Sequence, residues 1–208
     1  LGPSEAVAAA ALAFKEGVIG PADTLILVGH EDNLRLLARE HRILNKPDRV
    51  FYRHAATAVA MDDAAMTVLK SKRDSSMVKA LEMLKAGEAD VVVSTGNTKA
   101  LVAAGTIKVR PMEGAERPAL AAIMPRREGH FIMLDVGANP EAKPEHLLHN
   151  AVLGSIYAQC SLGIANPRVG LLTVGTEEGK GGARINRTHQ LLKAMGDRIN
   201  YVGPVEGF

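Results

Sequence analysis

Three apolar runs, each followed by a turn of small and polar residues, constrain the fold of this chain more than any other feature. The runs span residues 91–93, 131–134 and 169–174, and the turns span residues 94–98, 135–139 and 175–180. A continuous apolar run is typical of a parallel strand buried on both faces. Ligands in open α/β sheets bind beyond the carboxyl ends of such strands. The three turns therefore predict one composite pocket carrying hydroxyl, amide, carboxylate and lysine groups.

The composition predicts an ordinary globular protein without a membrane span. Hydrophobic residues make up 47% of the 208 residues, charged residues 23% and aromatic residues 3%, with a net charge of +2. Few aromatic side chains can stack nucleic-acid bases, and the charge is too small to indicate a polyanionic partner. No apolar run reaches the ~18 residues of a transmembrane helix, so we expect a cytoplasmic protein. The only cysteine, Cys160, has apolar neighbours and is expected to be buried on a helix.

Helical and strand patterns alternate along the chain, which predicts an α/β fold with a mostly parallel sheet and helices on both faces. Helices are indicated at residues 4–16, 31–40, 77–86, 144–160 and 184–195, and a further helix begins near Asn97. The strand patterns at residues 118–124 and 131–136 are too close for a parallel crossover, so these two strands are expected to form a hairpin. Because no linker or repeat divides the sequence, we expect a single domain over residues 1–208.

The turn at residues 94–98 is the first candidate site. Ser94 and Thr98 offer hydroxyls, Asn97 offers an amide, and the free N–H groups of the following helix point the same way. Together with the helix dipole, these groups suit a phosphate or a carbonyl oxygen. An ordinary capped strand-to-helix turn explains the same residues, and the pattern alone does not decide between the two.

The turn at residues 135–139 is the second candidate site. Asp135 and Asn139 place a carboxylate and an amide at a strand end, and Lys143 and His146 follow at the start of the next helix. A lysine is unfavourable at a helix N-terminus unless an anion is bound there. His146 in the first turn is a candidate proton donor or acceptor. The alternative is a solvated lysine beside a structural histidine, which the pattern alone favours.

Two charged segments have both a functional and an ordinary interpretation. The segment at residues 177–182 either brings Lys180 over an anionic ligand or forms a solvated loop. A cluster of basic side chains near residues 74–76 either guides an acidic partner or solvates a helix face. The cluster consists of Lys70, Lys72, Arg73 and Lys79.

Metal and nucleotide signatures are weak in this sequence. Asp62 and Asp63 form either a metal pair or a helix start, and His146 with His149 lacks an evident third ligand. No Walker motif and no GxGxxG or GxSxG pattern occurs, so the sequence predicts neither a dinucleotide site nor a serine-hydrolase elbow.

Six segments in a fixed order make the pattern far more specific. They are Met61-Asp62-Asp63, residues 72–77, 94–98, 134–139 and 143–147, and Glu178-Gly179-Lys180-Gly181. In this order they closely resemble the bacterial acyl-carrier-protein:phosphate acyltransferase family of phospholipid synthesis, which is related to phosphotransacetylases. Residues 117–120 and 202–207 fit as well, so the resemblance covers essentially the whole chain. One departure is Lys99, where the family usually has glycine.

The resemblance implies transfer of a fatty acyl group from acyl-carrier protein to inorganic phosphate, without a cofactor or a metal. It implies a fold like that of isocitrate and isopropylmalate dehydrogenases, a homodimer, and a chain that lacks the family's N-terminal strand and C-terminal part. Contact with the inner membrane surface is left open. The rival functions are a phosphotransacetylase-like enzyme that uses acyl-coenzyme A and a non-catalytic binding module.

The site residues that the resemblance implies fall into three groups. The catalytic candidates are Asn97, Asp135, His146 and Lys180. The substrate-binding candidates are Ser94, Gly96, Thr98, Gly137, Asn139, Lys143 and Glu178. Lys72 and Arg73 are the candidates for docking the acidic carrier protein.

Overall fold

The structure is a computed structural model that describes residues 2–43, 46–174 and 181–207. Its contacts divide the chain into two compact units, residues 1–110 and 111–208, which are described separately below. Helices and two-stranded sheets make up both units, so the predicted α/β class is confirmed. Among the described residues, no helix is both long and apolar enough to cross a bilayer.

The first unit contains one parallel strand pair and five helices within its described residues. The elements are α1 (Pro3–Lys15), β1 (Leu25–Gly29), α2 (Glu31–Glu40), β2 (Val50–His54), α3 (Ala65–Ser71), α4 (Ser76–Ala86) and α5 (Thr98–Lys108). Strands β1 and β2 pair from Leu25 opposite Val50 to Gly29 opposite His54. Their carboxyl ends therefore lie at the same edge.

Two apolar clusters stabilise the first unit. One joins α1 and α2 to the strand pair and contains Val7, Leu27, Leu34, Ala38 and Val50. Leu34 and Ala38 lie four residues apart, which places them on the same face of α2 and explains why this helix packs as its periodicity predicts. The other cluster joins α3, α4 and α5, and it contains Val68, Val78, Leu81, Ala100 and Ala104.

The second unit contains a hairpin, a parallel strand pair and two long helices within its described residues. The elements are β3 (Ala122–Pro125), β4 (His130–Met133), α6 (Pro144–Leu162), β5 (Val169–Leu172), α7 (Gly182–Ala194) and β6 (Tyr201–Val205), with a short 3-10 helix at Gly196–Arg198. Strands β3 and β4 are antiparallel, which confirms the predicted hairpin. Strands β5 and β6 are parallel. Helix α6 packs against α7 and β4.

Two sequence predictions are wrong. Residues 91–93 do not form a strand, and the Val93 side chain is 88% exposed. The strands described in the first unit, β1 and β2, pair with each other and leave this run without a strand beside it. Cys160 is exposed rather than buried. Its helical neighbours Ile156 and Tyr157 are exposed as well, so this face of α6 is open even though the local sequence is apolar.

Candidate functional site

Asn97 is the N-cap residue of helix α5, and hydrogen bonds hold its side chain in place. It is 5% exposed, its backbone is extended, and its side-chain Oδ1 accepts a hydrogen bond from the Ala100 N–H at 3.0 Å. This N-cap satisfies one of the free donors of the helix end. The predicted start of a helix near Asn97 is therefore confirmed.

The amide nitrogen of Asn97 holds a distant turn against the same helix end. Nδ2 lies 3.2 Å, 3.1 Å and 3.0 Å from the carbonyl oxygens of Ala60, Met61 and Asp63. Since both polar atoms of the side chain have partners inside the protein, Asn97 fastens the turn at residues 60–63 to the start of α5. The partners are 34–37 residues away in sequence, and local patterns cannot reveal such contacts.

Asp63 closes that turn with its carboxylate. Its Oδ2 accepts hydrogen bonds from the Ala60 N–H at 2.7 Å and from the Lys72 ammonium at 2.6 Å. The hydrogen bond from Lys72 and then that from Ala60 lower the pKa of the Asp63 carboxyl. Asp63 is thus part of an ion pair, and the described residues contain no group of three or more metal-ligating side chains.

The exposed side of the α5 N-terminus carries hydroxyls and a positive charge. Ser94, Thr98 and Lys99 are exposed there, and the Ser94 hydroxyl accepts a hydrogen bond from the Gly96 N–H at 3.3 Å. Thr98 and Lys99 are the first two residues of the helix, where backbone N–H groups have no intrahelical acceptor. These groups suit a phosphate oxygen.

In the second unit, Asp135 organises the turn that follows β4. Its Oδ1 accepts hydrogen bonds from the N–H groups of Leu120, Gly137 and Ala138, and its Oδ2 accepts from the backbone N–H and the side-chain amide of Asn139. Burial raises the pKa of the Asp135 carboxyl, but these hydrogen bonds outweigh burial and the net shift is downward. The carboxylate is therefore ionised and saturated with donors.

Asn139 and Gly137 complete this turn. The Asn139 amide also donates to the Pro118 carbonyl at 2.9 Å, which ties the turn to the segment before β3. Gly137 has a φ of +126°, a conformation that L side chains rarely adopt. Both residues therefore have a structural reason to be present, whichever ligand the turn binds.

His146 lies in the first turn of α6 and is 6% exposed. Its Nδ1 accepts a hydrogen bond from the Lys143 N–H at 3.1 Å, and its Nε2 lies 3.0 Å from a carboxylate oxygen of Glu116. Because Nδ1 is an acceptor, Nε2 carries the ring proton and donates a hydrogen bond to Glu116. Glu116 could not be identified as a partner from the sequence, because it is 30 residues away and belongs to no recognised motif. Lys143 is exposed at the same helix end.

Of the remaining predicted residues, two lie outside the described residues and two lie between α3 and α4. Lys180 and Glu178 lie outside the described residues. Arg73 is exposed, whereas the Lys72 ammonium is paired with Asp63. Asn97 and Gly96 belong to the first unit, while Asp135, Asn139, Lys143 and His146 belong to the second. Apart from Lys72 and Arg73, which lie between α3 and α4, the described site residues of each unit lie at one turn and at the start of the helix that follows it.

The described helices and strands make this an α/β protein, and its fold is similar to that of a phosphotransacetylase. The chain is similar in structure to the EutD phosphotransacetylase from Staphylococcus aureus, with a TM-score of 0.54 and 16% sequence identity, over 96% of this chain and 73% of that protein. The family model described as "Fatty acid synthesis protein" matches residues 1–208. The chain belongs to this family.

Two relatives are similar in sequence over most of the chain. A phosphate acyltransferase from Desulfitobacterium hafniense (strain DSM 10664 / DCB-2) is 43% identical over 183 residues, which is 88% of this chain and 53% of the relative. A phosphate acyltransferase from Staphylococcus aureus (strain MSSA476) is 46% identical over 160 residues, which is 76% of this chain and 48% of the relative. The chain thus spans about half the length of these relatives.

Proposed function

We propose that this protein is a phosphate acyltransferase that transfers a fatty acyl group from acyl-carrier protein to inorganic phosphate. The observation that supports this most strongly is the 43% identity to a relative named phosphate acyltransferase over 88% of the chain. The product, an acyl phosphate, would serve phospholipid synthesis. The exposed hydroxyls and cation at the start of α5 add chemical support, because they suit the phosphate that this reaction requires.

The reaction needs positioning and charge stabilisation rather than a covalent intermediate on the protein. A phosphate oxygen attacks the thioester carbonyl, a tetrahedral oxyanion forms, and the C–S bond breaks as the carrier thiolate leaves. Holding phosphate beside the carbonyl contributes through proximity, and donors aimed at the oxyanion stabilise the transition state. The proposed reaction uses no cofactor or metal ion.

In the first unit, we assign contact with phosphate to the exposed groups and positioning to the buried amide. The Ser94 and Thr98 hydroxyls would donate to phosphate oxygens, and the Lys99 ammonium would add positive charge. The Gly96 N–H would donate to phosphate in place of its 3.3 Å hydrogen bond to the Ser94 hydroxyl. The Asn97 amide would have to release a backbone carbonyl before it could donate to an oxyanion. Asn97 therefore acts by holding the start of α5.

In the second unit, we assign positive charge to Lys143 and proton handling to His146 together with Glu116. Because Nδ1 of His146 already accepts the Lys143 N–H, a proton would pass through Nε2 and the Glu116 carboxylate. The Nε2 proton of His146 is held by Glu116, which gives this imidazole a defined tautomer. Asp135 is a poor base because its carboxylate is saturated with donors, so it and Asn139 hold the turn around Gly137. Two residues beyond the described part complete the proposal: Lys180 supplies a second positive charge, and Glu178 contacts the substrate.

The remaining elements of the proposal concern the assembled protein. We propose a homodimer in which residues 1–208 form a single α/β domain with the fold of isocitrate and isopropylmalate dehydrogenases. The protein would act in the cytoplasm and make peripheral contact with the inner membrane surface. Exposed Arg73 is the centre of the proposed docking surface for the acidic carrier protein.

A phosphotransacetylase-like enzyme that uses acyl-coenzyme A is the second candidate. The structural similarity to a phosphotransacetylase favours it, although at 16% identity this similarity concerns the fold alone. A non-catalytic binding module is a third class, and it would show no phosphate-dependent cleavage of any thioester.

A comparison of thioester donors tests the proposal. The full-length protein is incubated with phosphate and either acyl-carrier protein or acyl-coenzyme A bearing the same acyl chain, and acyl phosphate is quantified. We expect a much higher kcat/KM with the carrier-protein donor. Preference for the coenzyme A donor would favour the phosphotransacetylase-like alternative, and no product from either donor would favour the binding module.

A further inference from the structure

Lys72 follows directly after helix α3, and its ammonium group points into the first unit. Nζ donates to Asp63 Oδ2 at 2.6 Å and to the Ala58 carbonyl at 3.2 Å. The Lys72 side chain is 30% exposed and that of Asp63 is 17% exposed. Both partners of the Lys72 ammonium lie on residues 58–63, so this side chain holds that segment in place. The neighbouring Arg73 side chain is exposed instead.

The contacts of Lys72 continue to the start of α5. The Asp63 carboxylate that binds Lys72 also accepts the Ala60 N–H, which closes the turn. The backbone carbonyl of Asp63 accepts from Asn97 Nδ2 at 3.0 Å, and Asn97 Oδ1 caps α5 through the Ala100 N–H. A continuous chain of contacts therefore runs from Lys72 through Asp63 and Asn97 to the first turn of α5.

The segment that Lys72 holds is fastened at its other end as well. The Ala56 N–H donates to the Asp74 carboxylate at 3.1 Å, and the Ser76 N–H donates to the Thr57 carbonyl at 3.1 Å. Residues 56–63 are thus tied to the α3–α4 connection at one end and to the start of α5 at the other. Lys72 holds this segment through the Ala58 carbonyl and the Asp63 carboxylate. Loss of this lysine therefore removes two of the contacts that fix the turn bound by Asn97.

We infer that Lys72 is a positioning residue for the phosphate site at the start of α5 and does not dock the carrier protein. The inference rests on the proposed function, since it assigns phosphate to Ser94, Thr98 and the first N–H groups of α5. Lys72 acts through Asp63 and Asn97 and does not touch the substrate. Small displacements of positioned groups have large kinetic effects, and a misplacement of about 1 Å can cost up to ~100-fold in rate.

Steady-state kinetics of the full-length protein separate positioning from docking. We expect Lys72→Ala to lower kcat/KM for phosphate by about 10-fold or more and to leave KM for acyl-carrier protein unchanged. Lys72→Arg should recover most of the loss because a guanidinium can still bind Asp63. Asp63→Asn should reproduce the loss, and the double variant should be no worse than Lys72→Ala. Exposed Lys85 on α4 supplies the matched control, and Lys85→Ala should have no effect.

The opposite pattern would overturn the inference. If Lys72→Ala raises KM for the carrier protein, as Arg73→Ala is expected to do, and leaves the phosphate kinetics unchanged, Lys72 belongs to the docking surface. Additive effects of Lys72→Ala and Asp63→Asn would likewise contradict the contact chain.

Amide hydrogen exchange tests the contact chain even if the full-length protein has no phosphate-dependent activity. Lys72→Ala should accelerate exchange of the Ala60 and Ala100 amides, which donate to Asp63 and Asn97. The amides of α4 should keep their protection, which also shows that the variant is folded. Lys72→Gln retains most of the side-chain volume and serves if the alanine variant fails to fold. Unchanged exchange at Ala60 and Ala100 in a folded variant would overturn the contact chain and with it the inference. Missing activity in the wild type would overturn the proposed function and the phosphate assignment, whereas faster exchange in Lys72→Ala would still support the contact chain.

Discussion

At the scale of single residues, the candidate site residues are of two kinds. Some have side chains exposed to solvent, and others hold the backbone through hydrogen bonds. Asp135, Asn139 and Asn97 satisfy their hydrogen bonds inside the protein. Ser94, Thr98 and Lys143 are exposed at helix starts. The sequence shows that a carboxylate, an amide or a hydroxyl stands at each of these turns. It does not reveal whether that group faces a ligand or binds the backbone. That distinction depends on partners far away in sequence.

Asp135 provides the clearest test at this scale. Its pKa is lowered in the folded state, so it stabilises the fold at pH values above its unfolded pKa, and this contribution is lost as the pH falls through the lower folded pKa. We expect Asp135→Asn to reduce the free energy of unfolding at pH 7 by about 1–3 kcal/mol, because charge-assisted hydrogen bonds are lost. The variant should also lose part of the acid dependence of stability.

Denaturant unfolding of the full-length protein at several pH values measures both effects. Exposed Glu141 in the same unit offers a control that also removes one carboxylate, and Glu141→Gln should leave the stability nearly unchanged. Equal unfolding curves for Asp135→Asn and Glu141→Gln would contradict the role of Asp135 as the organiser of its turn.

At the scale of elements, helix boundaries follow closely from local chemistry. Helix α2 has the predicted bounds, and α6 begins at Pro144 as predicted. Helix α4 ends at Gly87, which takes the left-handed conformation with a φ of +75°. Each of these signals is local, because a proline at the first position or a glycine after the last turn acts on its own helix.

Two glycines of the first unit are predicted to respond to alanine in opposite directions. Gly87→Ala should destabilise the protein by about 1–2 kcal/mol, because the left-handed conformation is unfavourable for a residue with Cβ. Gly105 lies inside α5, and a Cβ built there meets no atom within 4 Å. Gly105→Ala should therefore stabilise the protein by about 0.5–1 kcal/mol, since alanine is the better helix former.

Thermal or denaturant unfolding of the two single variants, compared with the wild type, measures the difference. Both variants add one methyl group, so Gly105→Ala serves as the control for Gly87→Ala. Shifts of the same sign would contradict the assigned conformation of one of the two glycines.

Strand pairing and burial could be predicted less well, for a physical reason. The valines at residues 91–93 form an apolar run, yet Val93 is exposed because a strand is buried only where neighbours cover it. The hairpin of β3 and β4 was predictable because its turn is local. The parallel pairing of β1 with β2 agrees with the predicted parallel sheet, but its residue-by-residue register was not predictable, since these strands are separated by α2.

At the scale of the whole molecule, the order of motifs predicted the family, and the family match over residues 1–208 confirms it. The sequence also indicated which turns carry polar groups. It could not predict that Lys72 binds Asp63 or that Glu116 binds His146, because both contacts depend on the tertiary fold. The predicted composite pocket and homodimer stay predictions for the full-length protein.

The most direct test of the proposed function follows the phosphate oxygens. The full-length protein is incubated with acyl-carrier protein and phosphate that is fully labelled with oxygen-18, and the products are analysed by mass spectrometry. If phosphate attacks the thioester carbonyl, the acyl phosphate should retain every labelled oxygen, and its formation should depend on the phosphate concentration. Release of unlabelled free fatty acid at a rate independent of phosphate, with no acyl phosphate formed, would contradict the proposed reaction.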